Sequence, residues 1–99
     1  MELIIHSRTP LGCSLDALQS SVNARLGADG EVTGGGIGID GWYLYVELRH
    51  DATDDYFTRL AEFLLSMKVP VGTTIQHTLP NGNDRTLTIN AEQRGGTVR

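Results

Sequence analysis

Residues 34–48 read GGGIGIDGWYLYVEL, the pattern of a β-hairpin bent at Asp40-Gly41. A two-residue turn there needs positive φ at its central positions, which Asp and Gly tolerate. It pairs Ile39 with Trp42, Ile37 with Leu44, Gly35 with Val46 and Thr33 with Leu48. Alternation along a strand places all of these on one face, apolar enough to meet the core. The other face carries Gly34, Gly36 and Gly38 against Tyr43, Tyr45 and Glu47. Tyr43 is expected over Gly38 and Tyr45 over Gly36, their rings covering backbone that glycine leaves bare.

The flanking chain supplies the remaining elements. Glu2–His6 is a short apolar strand, and Ser7–Cys13, with Pro10 and Gly12, is a loop. Ser14 is an N-cap for a helix to about Leu26, with Leu15, Leu18, Val22 and Leu26 as its stripe and Gly27 as its stop. A second helix starts at Thr53, or at Asp51 if its first turn is longer. Asp54 and Asp55 suit the positive end of its dipole. Phe57, Leu60, Ala61, Leu64 and Met67 form its apolar face, widened by Tyr56 and Phe63, and Pro70 ends it. Thr73–Leu79 and Arg85–Asn90 are strands. A three-residue turn at Asn81-Gly82-Asn83 pairs Ile75 with Ile89 and His77 with Leu87, matching apolar positions better than a two-residue turn does.

The order β-α-β-β-α-β is the split βαβ, ferredoxin-like arrangement, an α+β fold with one further strand from the last hairpin. Right-handed crossovers put both helices on one face of an antiparallel sheet, with strands 1 and 3 central. Residues 1–90 form one domain and 91–99 a polar tail. The core face comprises Leu3, Ile5, Ile37, Ile39, Trp42, Leu44, Val46 and Leu48. Tyr43, Tyr45, Glu47 and Arg49, beside Ile4 and His6, lie on the uncovered face.

The chain has 99 residues, a formal charge of −4 and one cysteine. Its acidity argues against nucleic acid and anionic membrane surfaces and is compatible with a basic protein partner. No apolar run is long enough to span a bilayer, no signal peptide is legible, and a lone Cys13 suits a reducing cytoplasm. The Gly-rich run lacks the Lys and Ser/Thr of a phosphate loop and leads into a hairpin rather than a helix. His6, His50 and His77 have no metal-ligand spacing, with His6 and His50 expected at opposite ends of the sheet. Cys13 has no base placed beside it, and Asp51, Asp54 and Asp55 lack calcium-loop spacing. The expectation is therefore no catalytic residue, no metal and no cofactor.

Asp40–Val46 on a third strand resembles the aromatic strand of RNA-recognition motif domains, which stack bases on such rings. It departs from that motif in having Asp40 at the basic position and no aromatic partner on strand 1. In size, charge and strand order the chain resembles small acidic bacterial α+β proteins of toxin–immunity pairs. That resemblance implies a non-enzymatic protein-binding module that neutralises a toxin, such as a basic toxin domain, by direct binding. The candidate partner surface is Tyr43, Tyr45, Glu47 and Arg49, rimmed by Asp51, Asp54 and Asp55. The alternatives are a homodimeric structural module, joined through open sheets or edge strands, and a small-molecule binder using the groove under the two tyrosines.

Overall fold

The structure, a computed structural model, describes residues 1–50, 53–78 and 84–89. Its elements are β1 (Glu2–Ser7), α1 (Leu15–Leu26), a 3₁₀ turn (Gly27–Asp29), β2 (Gly30–Gly38), β3 (Gly41–Leu48), α2 (Asp54–Ser66), β4 (Thr74–Thr78) and β5 (Asp84–Thr88). The fold is α+β, with one antiparallel five-stranded sheet in the order β2-β3-β1-β4-β5. β1 lies at the centre between β3 and β4, and among the described residues β2 and β5 are the two edges. The postulated strand end at Leu79, the turn at 80–83 and the tail at 91–99 lie outside the described residues.

Both helices start where the sequence places them. Ser14 Oγ accepts from Ala17 N at 3.0 Å, and Thr53 Oγ1 from Tyr56 N at 3.1 Å, each satisfying one free first-turn amide. α1 buries Leu18, Val22 and Leu26, with Leu15 half-buried, and ends at Gly27, whose φ is 55°. α2 buries Phe57, Leu60, Ala61, Leu64 and Leu65, while Tyr56, Phe63 and Met67 are partly buried.

α2 stops before Pro70 takes effect. Lys68 adopts φ 66°, its N–H donates to Leu65 O at 2.9 Å, and Val69 N donates to Leu64 O at 3.1 Å. This pair of reversed bonds is a Schellman closure, with buried Val69 and Leu64 supplying its apolar contact. The position usually belongs to glycine, so sequence alone pointed to the proline instead.

The registers of both hairpins differ from the expected ones by two residues. In β2–β3, Gly38 faces Gly41, Ile37 faces Trp42, Gly36 faces Tyr43 and Gly35 faces Leu44. The chain reverses through Ile39-Asp40, and Gly41 alone takes a left-handed φ, +127°. No side chain fits there, because a Cβ on Gly41 would sit 1.9 Å from Ser7 O. A bulge follows between Val32 and Gly34, so Thr33, expected on the core face, is exposed. In β4–β5, Ile75 faces Leu87 and His77 faces Arg85, instead of Ile89 and Leu87. A slip of two residues changes every partner but keeps every side chain on its face, so the inward sets survive.

One core joins the helices to the inner sheet face: Leu3, Ile5, Trp42, Leu44, Val46, Leu48 and Ile75 pack with the buried residues of α1 and α2. Each such aliphatic side chain contributes about 1.5–3 kcal/mol by leaving water. Trp42 Nε1 donates to Thr9 O at 2.9 Å, so its polar edge is satisfied as its ring is buried. Ile37 and Ile39 are the exceptions to the expected core, being 69% and 103% exposed. They stand at the tip of an edge strand. α1 meets β2 lower down, where Asn23 Oδ1 accepts from Val32 N at 2.9 Å, and leaves the tip uncovered.

Candidate interaction surface

The sheet face turned away from the helices is built on β1 and β3. Register pairs His6 with Tyr43 and Ile4 with Tyr45, while β4 adds Thr74 beside His6 and Gln76 beside Ile4. β2 contributes Gly36 and Gly34, opposite Tyr43 and Tyr45, and Glu31 opposite Glu47. The tyrosines therefore point outward as expected, but over glycines two positions earlier than the sequence reading placed them.

Their geometry follows from those glycines. The rings lie 5.1 Å apart, tilted by 52°, and are 39% and 40% exposed. A Cβ on Gly36 would come within 2.8 Å of Tyr43 Oη and 3.0 Å of its Cζ. The Tyr43 ring thus lies across bare backbone that any larger residue would block. Tyr45 rests less closely on Gly34, at 3.7 Å from the corresponding Cβ position. Two rings held this way present rigid apolar area with hydroxyls at their margins, and little rotamer freedom remains to be lost on binding.

Of the other expected contact residues, Glu47 shares this face and pairs with the Met1 ammonium at 3.2 Å. Arg49 lies past the end of β3, where its N–H donates to Asp29 O at 2.8 Å and its guanidinium reaches Ala28 O at 3.4 Å. Asp54 and Asp55 do not rim the tyrosines. They open α2, in the helix layer on the opposite side of the sheet; Asp54 pairs with Arg85 of β5, and Asp55 with Arg59 at 3.0 Å. Asp51 lies outside the described residues.

Two features escaped the sequence reading. A hollow of about 240 Å³ at the hairpin tip is lined by Leu11, Cys13, Ile37, Ile39 and Trp42. An edge position for strand 2 was already implicit in the expected strand order and would have flagged the isoleucines. The second is a cavity of about 120 Å³ between α2 and β4–β5, bordered by Asp54, Phe57, His77, Arg85 and Leu87. His77 is 5% exposed and stacks on Phe57. Burial, followed by the Arg85 charge, pushes its pKa below the ordinary histidine value. Its Nδ1 is buried without a hydrogen-bond partner among the described residues, so the ring is a neutral core group.

Among the described residues no cluster of three or more His, Cys, Asp or Glu side chains could hold a metal, and no helix is long and apolar enough to cross a membrane. His6 and His50 stand at opposite ends of the sheet: His6 faces Tyr43 at one end, and His50 meets Asp29 at 3.2 Å at the other. No protein family, curated protein or solved structure matches the chain.

Proposed function

We propose that the chain is a non-enzymatic protein-binding module that uses the face around Tyr43 and Tyr45, in the manner of an immunity protein neutralising a toxin. The supporting observation is the ring pair itself, half-exposed and laid over Gly34 and Gly36 on a sheet face that neither helix covers. Aromatic anchors on a rigid support are where binding energy concentrates. The net charge of −4 favours a basic partner domain. In this reading the scaffold is a ferredoxin-like sheet, with β1 between β3 and β4, to which β5 has been added outside β4.

The test is co-purification from the source cells with wild-type protein and with a Tyr43→Ala/Tyr45→Ala variant. A stoichiometric basic partner should bind the wild type, and the double variant should weaken it by more than about 2 kcal/mol, roughly 30-fold, while remaining folded. Equal binding by both proteins would remove this face from the proposal.

A further inference from the structure

Two rows of side chains cross the inner face of the β4–β5 pair, Ile75 with Leu87 and His77 with Arg85. The first turns of α2 stand over them, and between helix and strands lies the cavity of about 120 Å³. Phe57, Ile75 and Leu87 give it apolar walls, while Asp54, Thr58 and Arg85, all exposed, border it where it meets solvent. The remaining wall differs in kind. The His77 ring is 5% exposed, and neither of its nitrogens has a hydrogen-bond partner among the described residues. Nδ1 is sealed in the core, which leaves Nε2, at the tip of the ring, as the nitrogen that reaches accessible space. An otherwise apolar hollow thus holds a buried polar group with nothing bonded to it, although such groups are nearly always paired.

We infer that this cavity is a binding site for a small neutral molecule, one ring in size, whose hydroxyl hydrogen-bonds to His77: a simple phenol or cyclic alcohol. Three observations set that chemistry. The volume is a little below the roughly 150 Å³ of a dry protein cavity that takes benzene, so one ring, its edge toward the open side, fills it. The charges beside it are already matched, because Arg85 is paired with Asp54. An ion of either sign would have to break that pair or enter uncompensated. The imidazole itself is held neutral by burial, and a neutral imidazole offers one donor and one acceptor, either of which a hydroxyl can meet.

The site lies on the helix side of the sheet and shares no residue with the tyrosine face. It neither requires a protein partner nor competes with one for Tyr43 and Tyr45.

NMR titrations with phenol and with benzene, at about pH 7.5 where both phenol and imidazole are neutral, test this. Phenol should bind saturably, shifting the Ile75 and Leu87 methyls and the His77 ring. It should bind at least about tenfold tighter than benzene, which suits the walls but has no hydroxyl. His77→Phe should bring the two probes within about twofold of each other. Thr58→Phe, which fills the cavity from its exposed side, should remove binding of both and leave the circular dichroism unchanged. Tyr43→Ala/Tyr45→Ala should bind phenol as the wild type does. Absence of a saturable shift with phenol, as when water alone occupies the cavity, overturns the inference. So do shifts centred away from Ile75, His77 and Leu87, equal affinity of the wild type for both probes, or a preference for phenol that survives His77→Phe.

Discussion

The His77 imidazole stacks on the Phe57 ring, 4.6 Å between centroids and 23° between planes. The contact fixes the ring in the core, where burial and Arg85 lower its proton affinity against the smaller opposing pull of Asp54 and Asp84. Below the ordinary histidine pKa of about 6.5, the unfolded chain takes up a proton here that the folded chain refuses. The contribution of this site is therefore complete above that pH and declines as pH falls toward the lowered folded value. His77→Phe keeps a ring against Phe57 and removes the unpartnered nitrogen. It should stabilise the domain by about 1 kcal/mol at neutral pH, with the gain increasing as pH falls from about 7 to 5. Urea titrations of both proteins across that range check it.

Lys68 carries the left-handed closure of α2 at φ 66°, a conformation that costs an L-residue about 1 kcal/mol. Lys68→Gly should stabilise the protein by roughly that amount, less a few tenths for the freer unfolded chain. The midpoint of chemical denaturation should rise with an unchanged slope.

Gly41 and Gly38 face each other across the hairpin end but should respond oppositely to a methyl group. At Gly41 φ is +127° and the Cβ would lie 1.9 Å from Ser7 O, whereas at Gly38 nothing lies within 4 Å. Gly41→Ala should cost more than about 3 kcal/mol, and Gly38→Ala should change stability by less than about 0.5 kcal/mol. Thermal unfolding of the two variants separates them. The buried Trp42, the chain's one tryptophan, reports the loss directly through its fluorescence.

Tyr43 covers Gly36, so its removal bares backbone as well as any docking surface. Tyr43→Ala should lower stability by about 1 kcal/mol through lost cover. Tyr45→Ala should cost less, since Tyr45 sits farther from Gly34. Melting of the single variants measures the shielding role of each ring and separates it from any effect on partner binding.

What was legible in the sequence was the set of faces rather than the set of partners. Trp42, Leu44, Val46 and Leu48 point inward and Tyr43 and Tyr45 outward because alternation survives any even slip. The turn misled by its composition: Asp-Gly is a strong two-residue signal, but Gly41 is pinned by the Ser7 carbonyl across the sheet. A contact so distant along the chain leaves no local mark. Asp54 and Asp55 are a different case. Their role at a helix start was readable, and so was their separation from the tyrosines, because the expected fold already put both helices on the sheet face opposite the two rings. Lys68 was invisible for another reason, since lysine is a poor advertisement for a left-handed backbone.

The central place of β1 also governs how the molecule must assemble. Its two neighbours in the sheet, β3 and β4, come from the middle and the last third of the described chain. The β2–β3 hairpin can close locally, but no nucleus enclosing β1 can form until distant segments have been gathered, and that entropy must be lost before the contacts compensate it. Refolding should accordingly be slow for a domain of this size, with the hairpin in place early and the middle of the sheet locked last.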